Sequence, residues 1–110
     1  RDAIMKEVIV AEALRQNHRR SRVQALCDHP MRVQLQQKVV LSEFQQRVGA
    51  LGVDVTGIHS SLYKADEAAP DQGHWPLMYM NSYGFTIAAG TSEIQRNILG
   101  ERVLGLEKSK

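Results

Sequence analysis

The apolar residues Val40, Phe44, Val48, Leu51, Val55 and Ile58 step along the chain by fours and threes. Only an α-helix, at 3.6 residues per turn, gathers that spacing onto one face; a strand would scatter it over both. Gln36, Gln37, Gln45, Gln46 and Arg47 lie largely off the stripe. A stripe of this length packs against neighbouring helices at shallow angles, as in a bundle. Pro30 suits the first turn of this helix, with Asp28 or His29 as its cap. Gly49, Gly52 and Gly57 cluster toward its end, and each costs helix propensity, up to ~1 kcal/mol relative to Ala. They signal either close helix contact or an early stop, and spacing leaves both open.

Three further elements surround it. Residues 2 to about 26 contain no Gly or Pro, and Ile4, Val8, Ala11 and Leu14 recur at helical spacing while Lys6, Glu7 and Arg15 fall elsewhere. This predicts one long amphipathic helix, ended by His29-Pro30 because the residue before a proline is pushed out of the helical region. Residues 60–74 are the long irregular stretch, with Pro70, Asp71 and Gly73 as turn formers. A short third helix is expected from Trp75-Pro76 to Tyr83, where Gly84 weakens it. Residues 92 to about 104 predict a last helix: Ser92 and Gln95 have the capping-box spacing, and Glu93 favours the positive end of the helix dipole. The fold class is all-α, a partial up-and-down helical bundle.

Composition narrows the function classes. With 43% hydrophobic and 24% charged residues over 110 positions, the chain is globular rather than disordered. Aromatics at 5% argue against a β-sandwich and against a base-stacking platform. A net charge of +2 is too small for a dedicated nucleic-acid binder, although a pI near 8.9 leaves room for a local basic patch. A single cysteine permits no internal disulfide and suits a reducing compartment, so the expected location is cytoplasmic, or the mitochondrial matrix in a eukaryote. Cys27 beside His29 reads as a packing cysteine, and His18, His29, His59 and His74 lack metal-ligand spacing. No apolar run approaches the ~20 residues of a membrane span. The start at Arg1, with no initiator Met and no basic-then-apolar signal, suggests a chain beginning inside a longer polypeptide.

Chemistry concentrates in Ala88-Ala89-Gly90-Thr91-Ser92-Glu93-Ile94-Gln95-Arg96. A glycine and two hydroxyls at a helix start leave backbone N–H groups free for an anion or polar cofactor. The same residues also make an ordinary capped helix. The longer string decides more. Gly90 through Leu99, Gly90-Thr91-Ser92-Glu93-Ile94-Gln95-Arg96-Asn97-Ile98-Leu99, followed by Glu101-Arg102-Val103-Leu104-Gly105-Leu106, closely resembles the C-terminal signature of the acyl-CoA dehydrogenases. Phe85-Thr86-Ile87 is similar to that family's approach to the turn, and Ala11-Glu12-Ala13-Leu14-Arg15 to a helix of the same domain.

The resemblance implies a three-domain protein: a helical N-terminal domain, a middle β domain and a C-terminal helical bundle. Residues 1–110 are similar to that bundle without its first helix, a fragment not expected to be active alone. The family removes one hydrogen from each of two adjacent carbons of an acyl-CoA substrate, a carboxylate taking the α-proton and FAD receiving the β-hydrogen. It implies FAD as cofactor, electron-transfer flavoprotein as partner, and a homo- or hetero-oligomer. By resemblance, Gly90 approaches the acyl thioester, and Thr91, Ser92 and Glu93 contact FAD. Glu93 could equally do no more than satisfy the helix dipole.

Two departures matter. In one large branch of the family the residue before this Gly-Thr pair is the catalytic glutamate; here it is Ala89, whose methyl accepts no proton. The base then lies outside this chain, or the subunit is catalytically silent. At Asp54-Val55-Thr56-Gly57-Ile58-His59-Ser60-Ser61, many relatives have a glutamine and a paired-glycine turn that reaches a neighbouring subunit's FAD, and this sequence keeps only Gly57. Residues common just before Phe85 are likewise replaced by Met80-Asn81-Ser82-Tyr83. Arg15, Arg19 and Arg22 share a helix face with Arg20 beside them: a docking patch for an acidic partner or a CoA phosphate, or a solvated face. Trp75, Leu77, Met78 and Tyr79 read as acyl-pocket residues or as core anchors of a short helix. The rival function is a helical scaffold subunit that kept the bundle and lost the chemistry.

Overall fold

The computed structural model describes residues 1–26, 30–64 and 66–108. They form four α-helices: α1 (Asp2–Arg20), α2 (Pro30–Thr56), α3 (His74–Ile87) and α4 (Ser92–Arg102). Short 3-10 turns occupy Gln24–Leu26, Gly57–Ser61 and Pro70–Gly73. Among the described residues there is no strand, as an all-α chain requires. None of the helices is long and apolar enough to cross a membrane.

Charge complements the dipole of α1, with Asp2 in its first turn and His18, Arg19 and Arg20 in its last. The helix stops at Arg20, short of residue 26. The Ser21 hydroxyl donates to His18 O at 2.8 Å, and the next N–H groups reach back only three residues, to Arg19 O and Arg20 O. These bonds tighten the chain into a turn without any Gly or Pro. Arg22 therefore leaves the helical face that Arg15 and Arg19 share. Pro30 opens α2 as expected, whereas Cys27, Asp28 and His29 lie outside the described residues.

Helix α2 is the spine, and α1, α3 and α4 all pack against it. Its seam with α3 is built on small residues, with Gly49 and Gly52 of α2 and Ser82 of α3 buried, and Ser42, a further small residue of α2, is buried as well. The two serines satisfy themselves within their own helices, Ser42 to Val39 O at 3.1 Å and Ser82 to Tyr79 O at 2.6 Å. A Cβ at Gly49 would stand 2.9 Å from the Tyr79 Cα, and one at Gly52 only 2.0 Å from the Trp75 ring. Close contact thus explains Gly49 and Gly52. Gly57, at φ +58° with nothing nearby, ends the helix.

Helix α3 begins at His74 and runs past Gly84 to Ile87, longer than the sequence suggests. A Cβ at Gly84 would meet nothing within 4 Å, so the glycine costs propensity alone, and packing on α2 carries the helix through it. Asp71, Gln72 and Gly73 take successive left-handed conformations that aim the chain into α3. The stretch 60–74 is less irregular than expected, since one 3-10 turn (Gly57–Ser61) overlaps its start and another (Pro70–Gly73) lies within it.

The bundle is open. Its radius of gyration is 17.2 Å, against about 13 Å for a compact globule of this length. Among the described residues, Leu14 and Val39 are the buried hydrophobics. Along the α2 stripe, Phe44, Val48 and Leu51 are half-buried, while Val40 and Val55 are exposed and Ile58 is 86% exposed. With Ile4 and Val8 of α1 and Trp75 of α3, the stripe lines an apolar groove of about 350 Å³.

Candidate functional site at the start of helix α4

The bend into α4 is made by two consecutive left-handed residues, Ala89 at φ +57° and Gly90 at φ +95°. Gly90 takes this conformation freely, whereas Ala89 pays roughly 1–2 kcal/mol for it. Two side chains hold the bend. Gln95 Nε2 donates to Ala89 O at 2.7 Å, from within α4. Lys38 Nζ donates to Gly90 O at 2.7 Å, from α2 and across 52 residues of sequence. All peptides here are trans, so each N–H points opposite to its tied carbonyl. The N–H groups of Gly90, Thr91 and Ser92 find no acceptor among the described residues. The bend is open, with Ala88 and Ala89 exposed and Gly90 half-buried.

The cap differs from the spacing-based expectation. Thr91, not Ser92, is the N-cap, its hydroxyl accepting from Ile94 N at 3.4 Å. Gln95 falls one residue beyond the reciprocal position and turns to Ala89 O instead, so the Ser92–Gln95 capping box does not form. Glu93 curls back on its own backbone N–H and on the Thr91 hydroxyl, and these bonds hold its carboxyl below the usual carboxylate range. Ser92 is left out of this network. It is 8% exposed, and its Oγ is buried with no hydrogen-bond partner among the described residues.

Beside this helix start lies a polar cleft of about 400 Å³, lined by Glu43, Gln46 and Arg47 of α2, Thr86 of α3, and Ser92, Glu93 and Arg96 of α4. Both arginines are engaged, Arg96 with Glu43 and Arg47 with Glu7 at 3.0 Å. The cleft therefore carries two carboxylates and two guanidiniums and no free cation for a phosphate. Its uncommitted side chains among the described residues include the Ser92 hydroxyl and the Gln46 amide. No carboxylate here is poised as a base, since Glu43 is ion-paired and Glu93 is held ionised. Ala89 supplies none.

Local sequence brings Gly90, Thr91, Ser92 and Glu93 together. The other candidates lie elsewhere. Trp75 packs over Gly52 at the apolar groove, away from the cleft, and the Tyr79 backbone abuts Gly49, which makes both anchors of the α2–α3 seam. Leu77 and Met78 are half-buried on the same helix. Tyr79 shares a 2.7 Å hydroxyl contact with Tyr83, which pushes its pKa up. Arg15 is committed to Glu12 at 2.7 Å. Among the described residues, no group of His, Cys, Asp or Glu is arranged to hold a metal. Sequence reasoning missed Lys38 and the Glu43–Arg96 pair. No local signal in the sequence points to either, since the partners lie 52 and 53 residues apart.

Comparisons with known proteins identify the family. A family model for the acyl-CoA dehydrogenase C-terminal domain matches residues 5–104. The acyl-CoA dehydrogenase IpdE1 of Mycolicibacterium smegmatis is 34% identical over 71 residues, and that of Mycobacterium tuberculosis 36% identical over 73. Each match covers 64% of this chain but 17% of the relative, so the chain spans under a fifth of the length of these proteins. No solved structure matches it significantly. The chain belongs to the acyl-CoA dehydrogenase C-terminal domain family.

Proposed function

We propose that this chain forms the flavin- and thioester-facing end of the helical bundle in an FAD-dependent acyl-CoA dehydrogenase. The observation that carries the reading is the Ser92 hydroxyl, buried without a partner at a helix start whose N–H groups are also uncommitted. A buried polar atom left alone costs about 1–3 kcal/mol, a cost that a bound acceptor removes. FAD, when bound, would accept the hydrogen leaving the β-carbon of an acyl thioester. The chain's own part is to bind and orient. Ser92 Oγ and the Ser92 N–H face a cofactor acceptor, and Thr91 fixes the start of the helix. Glu93, kept ionised, can only accept, which suits cofactor hydroxyls rather than phosphates. Gly90 lets a thioester approach bare main chain, and the exposed N–H groups of the bend are donors for its carbonyl.

Proton abstraction is not this chain's task. With a methyl at position 89 and Glu93 held down, the base comes from another part of the polypeptide or from a partner subunit. The acyl-CoA substrate, transfer of electrons to an electron-transfer flavoprotein, and assembly through the open groove follow from the same reading. A second reading, a silent helical scaffold subunit, is favoured by Ala89 and by the single Gly57 where relatives carry a glycine pair.

Flavin separates the two. The polypeptide carrying this chain should purify with a yellow chromophore or acquire one when FAD is supplied. Ser92→Ala should weaken FAD binding by about two- to tenfold, the worth of one net hydrogen bond of ~0.5–1.5 kcal/mol. A protein that stays colourless with excess FAD ends the flavoenzyme reading and leaves the scaffold.

A further inference from the structure

The bend before α4 is held from outside its own helix by a single charged group. We propose that Lys38 is a positioning residue, whose ammonium on Gly90 O fixes and polarises the Thr91 N–H that the bend presents. This rests on the proposed role of the bend in binding and names the residue that sets it.

The argument is geometric. Gly90 O and Thr91 N belong to one peptide unit, planar and trans, so a donor on the carbonyl acts directly on the N–H at its other end. Lys38 Nζ lies 2.7 Å from that oxygen in a part-buried position, where an ionised donor makes one of the stronger hydrogen bonds. Successive bonds through a peptide unit reinforce one another by roughly 10–30% each. The preceding unit, Ala89 O with Gly90 N, is held instead by the neutral Gln95 amide at 2.7 Å. Two adjacent donors are thus backed by different partners, one charged and from α2, the other neutral and from α4. The Gln95 amide also fills the space a Cβ at Gly90 would need, 3.0 Å away. With Gln95 beneath and Lys38 behind, the bend cannot turn its carbonyls outward.

Position matters as much as charge. Lys38 sits on the helix that also holds Arg96 through Glu43, so α2 grips α4 at its start and again one turn along. The second grip is an exposed ion pair and contributes little. The first reaches the backbone that does the binding.

The test is backbone and side-chain NMR on the 110-residue chain, with FAD titration of the polypeptide that carries it. Lys38→Met should move the Thr91 amide proton upfield and the Gly90 carbonyl carbon, with smaller shifts at Gly90 N–H. Gln95→Ala should do the reverse, moving the Gly90 amide most. Lys38→Arg should recover part of the Thr91 shift, and Gln36→Met on an exposed turn of α2 should move neither. FAD binding should weaken by at most about twofold in Lys38→Met, a fraction of one net hydrogen bond. Should Lys38→Met fail to fold, a through-bond correlation between the Lys38 ammonium and the Gly90 carbonyl in the native chain carries the test, and its absence overturns the proposal. So does a Thr91 amide unmoved in Lys38→Met, or an arginine variant no different from methionine. Failure of the native polypeptide to bind FAD would instead sink the flavin reading, leaving the NMR result on Lys38 to stand separately.

Discussion

Replacing one helical glycine at a time separates packing from propensity. Gly49 and Gly84 both lie inside α-helices, so Ala at either site recovers about 1 kcal/mol of helix propensity. Their surroundings differ. At Gly84 a Cβ meets nothing within 4 Å, and the gain should appear whole. At Gly49 it falls 2.9 Å from Tyr79 Cα, 3.2 Å from Tyr79 N and 3.3 Å from Tyr79 Cβ. These are main-chain atoms and the stem of a side chain, which no rotamer change removes. Helices α2 and α3 would have to part by roughly half an ångström, and a gap of about 0.5–1 Å forfeits a quarter to a half of each dispersion contact across the seam. Overpacking of this kind costs about 1–3 kcal/mol. Gly84→Ala should therefore stabilise the chain by about 1 kcal/mol, whereas Gly49→Ala is neutral or destabilises it by up to about 2 kcal/mol. At about 4–8 °C per kcal/mol, the melting temperatures of the two variants should differ by at least that interval. Thermal and urea denaturation followed by circular dichroism at matched concentration measures it. If Gly49→Ala melts at or above Gly84→Ala, the tight seam is wrong, and with it the placement of α3 on the spine.

Other perturbations reach the remaining features. Thr91→Ala should cost about 0.5–2 kcal/mol through loss of the α4 cap, while Ser92→Ala, which removes no bond in the free chain, should cost less or nothing; equal losses in denaturation would return the cap to Ser92. The Arg15 and Gln16 hydrogen bonds hold the Glu12 carboxyl down to about 2, so its NMR titration midpoint should lie near there and rise toward the ordinary value in Arg15→Met. Because the folded value is the lower one, this pairing contributes above the unfolded carboxylate range and is lost as pH falls through about 2. The open apolar groove predicts that the isolated chain binds a hydrophobic dye or self-associates in sedimentation; a monodisperse monomer with no dye enhancement would refute it.

What the sequence disclosed follows the range of the physics involved. The α2 stripe was legible because periodicity is local, and the last helix because its start residues act within one turn. Gly49, Gly52 and Gly57 could not be sorted in advance, since the same residue type serves a seam and a stop; only Tyr79 and Trp75, brought in by the fold, distinguish them. Thr91 and Ser92 are adjacent hydroxyl residues, either of which suits an N-cap, so the cap could shift by one once Gln95 was drawn to Ala89 O. The end of α1 lies short of residue 26 because the N–H groups after Ser21 turn back to Arg19 O and Arg20 O, with no glycine or proline to announce it. Lys38 was out of reach altogether, because its partner lies 52 residues away.

The same range explains how the bend can keep its shape with alanine at position 89. A left-handed alanine is disfavoured locally, yet both carbonyls of the bend are taken by side chains from two helices. The conformation is set by those partners, not by the residue that adopts it, so the side chain at 89 is free to vary without moving the main chain. The proposed binding through N–H groups is therefore compatible with a residue at 89 that accepts no proton. On the proposed function, binding and proton removal are separable: the first falls to main chain clamped from α2 and α4, and the second to a carboxylate brought to the bend from beyond this chain.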